Sequence, residues 1–194
     1  MNTPGHYIVN LAILGAALAP KSTVAITLGA ILPDVPIFAF YFVAKVIQKL
    51  PESEIWSTAY YQPFWQTIIS LSHSFPVGLF GLALCWYGGW KWGSIFFTSM
   101  ILHSCFDIPI HHDDAHRHFY PLSDYRFISP VSYWDPKHHG AIIALLEIIL
   151  VCLVTPFVWT LLKTHWAKAI LLVLDGFYVI FYVRFYILGG NWLF

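Results

Sequence analysis

Between Leu102 and His118 the chain reads LHSCFDIPIHHDDAHRH, so five of its ten histidines and three of its ten acidic residues fall within seventeen positions. Imidazole and carboxylate together suit zinc, manganese or iron, which accept nitrogen and oxygen donors. His103 and Asp107 are four positions apart. On a helix that spacing puts both side chains on one face, where a rigid backbone presents two ligands to one ion. Asp34 adds a carboxylate inside an apolar run, a costly place for an unpaired charge. His73 enters a further apolar run within Leu-Ser-His-Ser-Phe, and His6 with Asn10 makes another i, i+4 pair near the start.

The remaining groups of this stretch outnumber what one ion requires. A catalytic zinc takes three protein ligands and keeps a position for water. His111 and His112 extend the candidate ligand set, while Asp113, Asp114, His116 and His118 suit general acid–base work or the orienting of ligand imidazoles. Arg117 and Arg126 have the planar fork that clamps phosphate or carboxylate. Taken singly, each signal has a plainer explanation: a hydrogen-bonded core pair for His103 and Asp107, a cap beside a proline break for Asp34, interfacial snorkelling for the arginines. Their convergence is what points to metal.

The elements that must hold these groups are apolar. The chain is 58% hydrophobic, 19% aromatic and 10% charged, against about 25% charged in ordinary soluble domains. So few charges cannot cover so much apolar surface in water, and the chain reads as a polytopic membrane protein. A formal net charge of zero excludes the basic stripe that nucleic acid requires. Cys85, Cys105 and Cys152 are isolated in apolar stretches and suggest neither a disulfide framework nor a thiol metal site. Met1-Asn-Thr-Pro-Gly-His6 has no basic region and no small-residue cleavage site, so it does not read as a signal peptide and His6 is expected to stay.

Six apolar segments are expected at residues 7–18, 23–46, 65–86, 92–108, 141–162 and 167–188. The first is short for a bilayer core about 30 Å thick. Trp90, Trp92, Trp134, Trp166 and Trp192 lie near the proposed boundaries, where amphipathic rings favour the interface. Asp34-Val35-Pro36 and Asp107-Ile108-Pro109 echo each other, and in both a helix should end or kink. Residues 119–140 lack helical periodicity but are rich in aromatics and prolines, which predicts an ordered cap rather than a flexible linker. The expected architecture is therefore all-α: one integral membrane domain over residues 1–194, a helical bundle of about six spans, with a long ordered polar loop at 109–140 between spans four and five.

If six spans alternate, nine of the ten histidines share one side of the membrane and only His165 lies opposite. That side carries Lys45, Lys49, Arg117, Arg126 and Lys137, against Lys21, Lys91, Lys163 and Lys168 on the other. Five against four leans towards a cytoplasmic site by the positive-inside rule.

Gly5-His6, Leu32-Pro33-Asp34, Ser72-His73-Ser74 and Leu102-His103-x-x-x-Asp107 follow one another in an order that resembles the YdjM-like family of membrane-bound, metal-dependent hydrolases, related in pattern to zinc-dependent phospholipase C. The likeness covers about the first 120 residues and implies that His6, Asp34, His73, His103 and Asp107 bind metal. It also implies a bacterial inner-membrane protein. The chain departs from the pattern where a His-Arg-x-x-Thr-His-Ser element is reduced to Leu71-Ser72-His73-Ser74, and a histidine from 111–118 could replace the one lost.

Three classes of function remain. A hydrolase would hold one or two divalent ions and act on an ester or phosphoester of a membrane lipid or lipid-linked substrate. A metal transporter or sensor would use the same ligands for an ion in transit, yet the last two segments offer only Glu147, Asp175 and Arg184 for it. A structural membrane protein with a stabilising metal would need fewer ligands.

Overall fold

The protein is seen in a computed structural model that describes residues 1–18 and 22–189; Lys21 and Trp192 lie outside them. Helices α1 (Thr3–Leu18), α2 (Thr23–Ile31), α3 (Val35–Phe42), a one-turn α4 (Glu52–Glu54), α5 (Pro63–Ser72), α6 (Phe75–Tyr87), α7 (Lys91–Asp107), α8 (Gly140–Leu161) and α9 (His165–Tyr182), with short tighter or wider turns, make up most of the described residues, and residues 111–135 form a non-helical loop. No strand occurs among them. Four helical stretches are long and apolar enough to cross a membrane: Thr23–Ile47, Lys91–Ile110, Gly140–Leu161 and His165–Ile187. A fifth exists if the bent pair α5 and α6 is one span.

One segment differs from the sequence expectation, while the first is short as expected. Residues 65–86 are not one helix, because α5 and α6 meet at a 44° bend. The cause is local: Ser74 caps α6 by accepting from the Val77 amide, and Pro76 cannot continue the hydrogen-bond ladder of α5. The first segment, α1, has 16 residues and falls short of a full span. Both proline echoes behave as expected. Leu32–Asp34 and Ile108–Ile110 are tight turns that follow α2 and α7.

Helix directions follow from contacts that step together. Ser99 Oγ donates to Ile26 O at 2.7 Å and His103 Nδ1 to Ala30 O at 2.8 Å, so α2 and α7 run parallel. Asn10 reaches Ser99 while His6 reaches Asp107, so α1 runs against α7. Gly78 lies against Ile101 and Gly81 against Phe97, which sets α6 antiparallel to α7. Gly5 lies against Glu147 and Gly15 against Leu161, so α8 follows α1. Tyr178 reaches Glu147 and Asp175 meets Thr155, which turns α9 back along α8.

One core joins α1, α2, α8 and α9 through Ile8, Leu11, Ile26, Val151, Val158, Leu171 and Tyr178. A second gathers Phe40, Ile55, Tyr60 and Ile69, with Trp56 and Trp65 packed edge-on against Phe40. Trp90 and Trp166 at helix ends are exposed, as are large apolar side chains along α8 and α9.

Candidate metal centre

The polar groups of α7 form one stripe: Ser99, His103 and Asp107 are spaced by four, and all are buried against α1 and α2. Into it project His6 from α1, Asp34 from the turn after α2, and His73 from the C-terminal end of α5. His6, His73 and His103 are fully buried. The donor atoms of His6, Asp34 and His103 lie within 4.8 Å of one another, as do those of His73, Asp107 and His116.

The two carboxylates stand between the imidazoles. Asp107 Oδ1 is 2.8 Å from His6 Nε2 and 3.1 Å from His111 Nε2, with the Met1 amino nitrogen at 2.9 Å. Asp107 Oδ2 is 3.0 Å from His103 Nε2. Asp34 Oδ1 is 3.4 Å from His73 Nε2 and 3.6 Å from His103 Nε2, while its Oδ2 accepts from Thr3 Oγ1 at 2.5 Å.

The tautomers follow from the backbone. A carbonyl only accepts, so His73 Nδ1 donates to Ile69 O and His103 Nδ1 to Ala30 O, each at 2.8 Å. A neutral ring so engaged presents its Nε2 lone pair to the interior. His73 Nε2, His103 Nε2, His116 Nε2, His6 Nδ1 and Asp107 Oδ2 are buried and make no hydrogen bond. Buried polar atoms are ordinarily satisfied, and unsatisfied nitrogen and oxygen atoms on residues of two close triads are what a cation would satisfy. The residues present therefore fit a divalent metal, held by His6, Asp34, His73, His103, Asp107 and His116.

The remaining sequence candidates divide. His111 sits between two carboxylates, Asp107 and Asp114, whose Oδ2 is 3.1 Å from His111 Nδ1 at an angle that makes no hydrogen bond. Burial opposes charge on His111, but Asp114 and Asp107 outweigh it and raise its pKa to about 9. Burial pushes Asp114 up, and His111 more than reverses this, leaving it below its ordinary value. His116 stacks on His73 with ring centroids 4.0 Å apart, and burial holds it well below the usual histidine range. His118 donates from Nδ1 to His73 O at 3.1 Å and is lowered to about 4, chiefly by burial. Asp113 is exposed. His112 turns away from the centre and stacks on His138. Arg117 gives its donors to Ser70 Oγ, Gln66 O and Asp124, and Arg126 to Ala115 O and Gln66 Oε1. Both arginines thus tie the loop to α5.

Groups that sequence reasoning passed over complete the frame. Thr3 holds Asp34. Glu147, the only acidic residue of α8, accepts from the Asn2 amide at 2.9 Å and from Tyr178 OH at 2.7 Å, clamping the start of α1 next to His6. Its signal was present, since an ionisable group deep in an apolar helix needs a partner. Tyr133 packs its ring 4.7 Å from His111, covering the centre from the loop side. The loop itself is pinned: Ser129 N donates to His111 O, Tyr133 N to Ile110 O and Ser132 N to His138 O.

No family model, curated protein or solved structure matches the chain.

Proposed function

We propose that the chain is an integral membrane, metal-dependent hydrolase acting on an ester or phosphoester of a membrane lipid or lipid-linked substrate. The observation that carries the reading is the set of buried, unpartnered nitrogen and oxygen donors shared by His73, His103, Asp107 and His116. Two triads in contact through Asp34 and Asp107 suit two ions, of which zinc best matches the histidine-rich donor set, with manganese or iron also compatible. When bound, a divalent ion lowers the pKa of a coordinated water to about 7 and polarises an ester or phosphoester oxygen.

The protein's own groups supply the rest. Asp114, kept ionised by His111, would take a proton only transiently as a general base, and its side chain is partly exposed. Thr3, Ile69 O and Ala30 O fix the orientation of Asp34, His73 and His103. Six alternating passes, counting α1 as a short one, would put the centre at a membrane face where lipid esters lie. The motif order that resembles the YdjM-like hydrolases supports the same reading.

One observation favours a second reading, a metal carrier or metal-binding membrane protein without hydrolysis. His6, His73 and His103 are wholly buried, so the centre is closed to a bulky substrate in this conformation. The two are separated with full-length protein in detergent or nanodiscs. Elemental analysis should show stoichiometric divalent metal that is lost in His103→Ala. Asp114→Asn should keep that metal while slowing turnover in a screen of phospholipid and isoprenoid-phosphate esters by about 10²–10⁴-fold, the usual worth of a general base. Wild type that holds its metal, cleaves nothing in the screen and moves ions across a liposome membrane would establish the second reading instead.

A further inference from the structure

We propose that His112 and His138, with Asp135 behind them, form a third and outer site for a divalent transition-metal ion, separate from the buried centre and open to exchange. Their rings stack with centroids 3.5 Å apart at 21°. The same arrangement occurs twice in the buried centre, for His6 and His103 at 3.6 Å and 19°, and for His73 and His116 at 4.0 Å and 26°. Each of those pairs stands beside carboxylates that would share an ion.

The outer pair is also wired like the inner ligands. His112 Nδ1 donates to Ser129 O at 2.5 Å, and His138 Nδ1 donates to Asp135 Oδ2 at 2.7 Å. Both Nδ1 atoms are thereby occupied, which leaves the Nε2 atoms as the available donors, as for His73 and His103. A carboxylate–imidazole hydrogen bond fixes the ring and its tautomer. Asp135 is itself held, because its Oδ1 accepts from the Lys137 amide at 2.9 Å. Ser129 is anchored to Pro109 O, so the acceptor behind His112 belongs to the pinned loop.

Exposure distinguishes this pair from the others. The His138 side chain is 35% exposed, whereas His6, His73 and His103 have none of their surface in solvent. An ion can therefore reach the outer pair directly, with water filling the remaining positions. To bring both Nε2 atoms to about 2.0–2.1 Å from one zinc ion, the two rings must turn out of their stack. Affinity at two protein nitrogens should be well below that of the buried centre, and the ion should leave readily to a chelator.

The test is a count of zinc ions on full-length protein in detergent, titrated with Zn²⁺ alone by equilibrium dialysis after loosely held metal is removed. Wild type should take up one further zinc per chain that brief chelation strips while buried metal stays. His112→Ala and His138→Ala should each weaken that uptake at least tenfold and keep the buried metal. His139→Ala and His165→Ala, which alter exposed histidines outside the pair, should leave it unchanged. Uptake by His138→Ala within twofold of wild type overturns the proposal. Should either variant fold poorly, wild type alone decides: zinc should protect His112 and His138, but not His165, from carbethoxylation read by mass spectrometry. Equal modification of the pair with and without zinc also overturns it. Because the exchangeable ion is counted apart from the tight ones, absence of buried metal would sink the hydrolase reading and leave this site standing or falling on its own result.

Discussion

Thr3 is the residue whose part in the centre is easiest to isolate. Its hydroxyl donates to Asp34 Oδ2 at 2.5 Å, while Asp34 Oδ1 faces His73 and His103. Thr3→Val keeps the shape and removes the donor, freeing the carboxylate to rotate away from the imidazoles. Groups that orient a ligand from behind typically contribute 10- to 100-fold in metal affinity. The expected outcome is therefore metal affinity lower by about that factor, with helical content by circular dichroism unchanged; equal affinity would show that Asp34 is held by other means. Asp34, His103 and Asp107 were legible in the sequence because their signals are local, a carboxylate in an apolar run and an i, i+4 pair. Thr3, Tyr133 and the pairing of His112 with His138 were not. Each depends on a contact across 17 or more positions of chain, such as Thr3 with Asp34 at a separation of 31, and no local spacing encodes it.

Helices set the distances that the side chains then use, and in a membrane they do so mainly by close packing, since lipid removes the hydrophobic drive between them. Gly29 is where α2 meets α7: a Cβ there would lie 2.3 Å from Phe96 O and 2.7 Å from Ser99 Cβ. The backbones come this near so that Ser99 can donate to Ile26 O and His103 to Ala30 O. Gly29→Ala must push the helices apart, and since Phe96 O is backbone, no side-chain rotation relieves it. Overpacking of this kind costs about 1–3 kcal/mol. Thermal unfolding in detergent should fall accordingly, and metal affinity with it because His103 loses its orienting carbonyl. Gly5 repeats the logic at the start of α1, where a Cβ would lie 2.6 Å from Tyr178 OH and 2.7 Å from Glu147 Oε1. Gly5→Ala should release the start of α1 from that clamp and weaken metal binding through His6. Helix boundaries were largely readable: the expected 92–108 and 141–162 compare with Lys91–Asp107 and Gly140–Leu161. The bend between α5 and α6 was not read, although Ser74 followed by Phe75-Pro76 marks a helix start. Continuous hydrophobicity masked it, because a membrane segment is apolar on both sides of such a break.

Across the whole molecule the helices reverse in turn, α1 against α2, α6 against α7 and α8 against α9, as the contacts that step together require. One end of the bundle then gathers the start of α1, residues 48–62 and residues 108–139, and these segments do touch. Tyr61 OH donates to Asp113 O at 3.3 Å, and Arg126 reaches Gln66 Oε1 at 2.8 Å. Met1 and His6 meet Asp107 at the same end. The turn at Gly88 and Gly89 and residues 162–164 lie at the other end. Sequence patterning anticipated this division from hydropathy alone, but it could not show that the grouped histidines split into an inner set and an outer pair. If the bundle crosses a membrane in the alternating order, the two ends must be on opposite sides. Single cysteines at Ser57, Ser123 and Lys137, in a chain with Cys85, Cys105 and Cys152 replaced by alanine, should react with an impermeant maleimide from one side only. Cysteines at Gly89 and Lys163 should react from the other. Ser57, Ser123, Lys137, Gly89 and Lys163 are all exposed, so labelling reports sidedness rather than burial. Ser57 and Ser123 labelling from opposite sides would break the alternation of α5–α6 and α7. It would also separate the two loops that their hydrogen bonds hold together, and with them the one-sided placement of the metal centre.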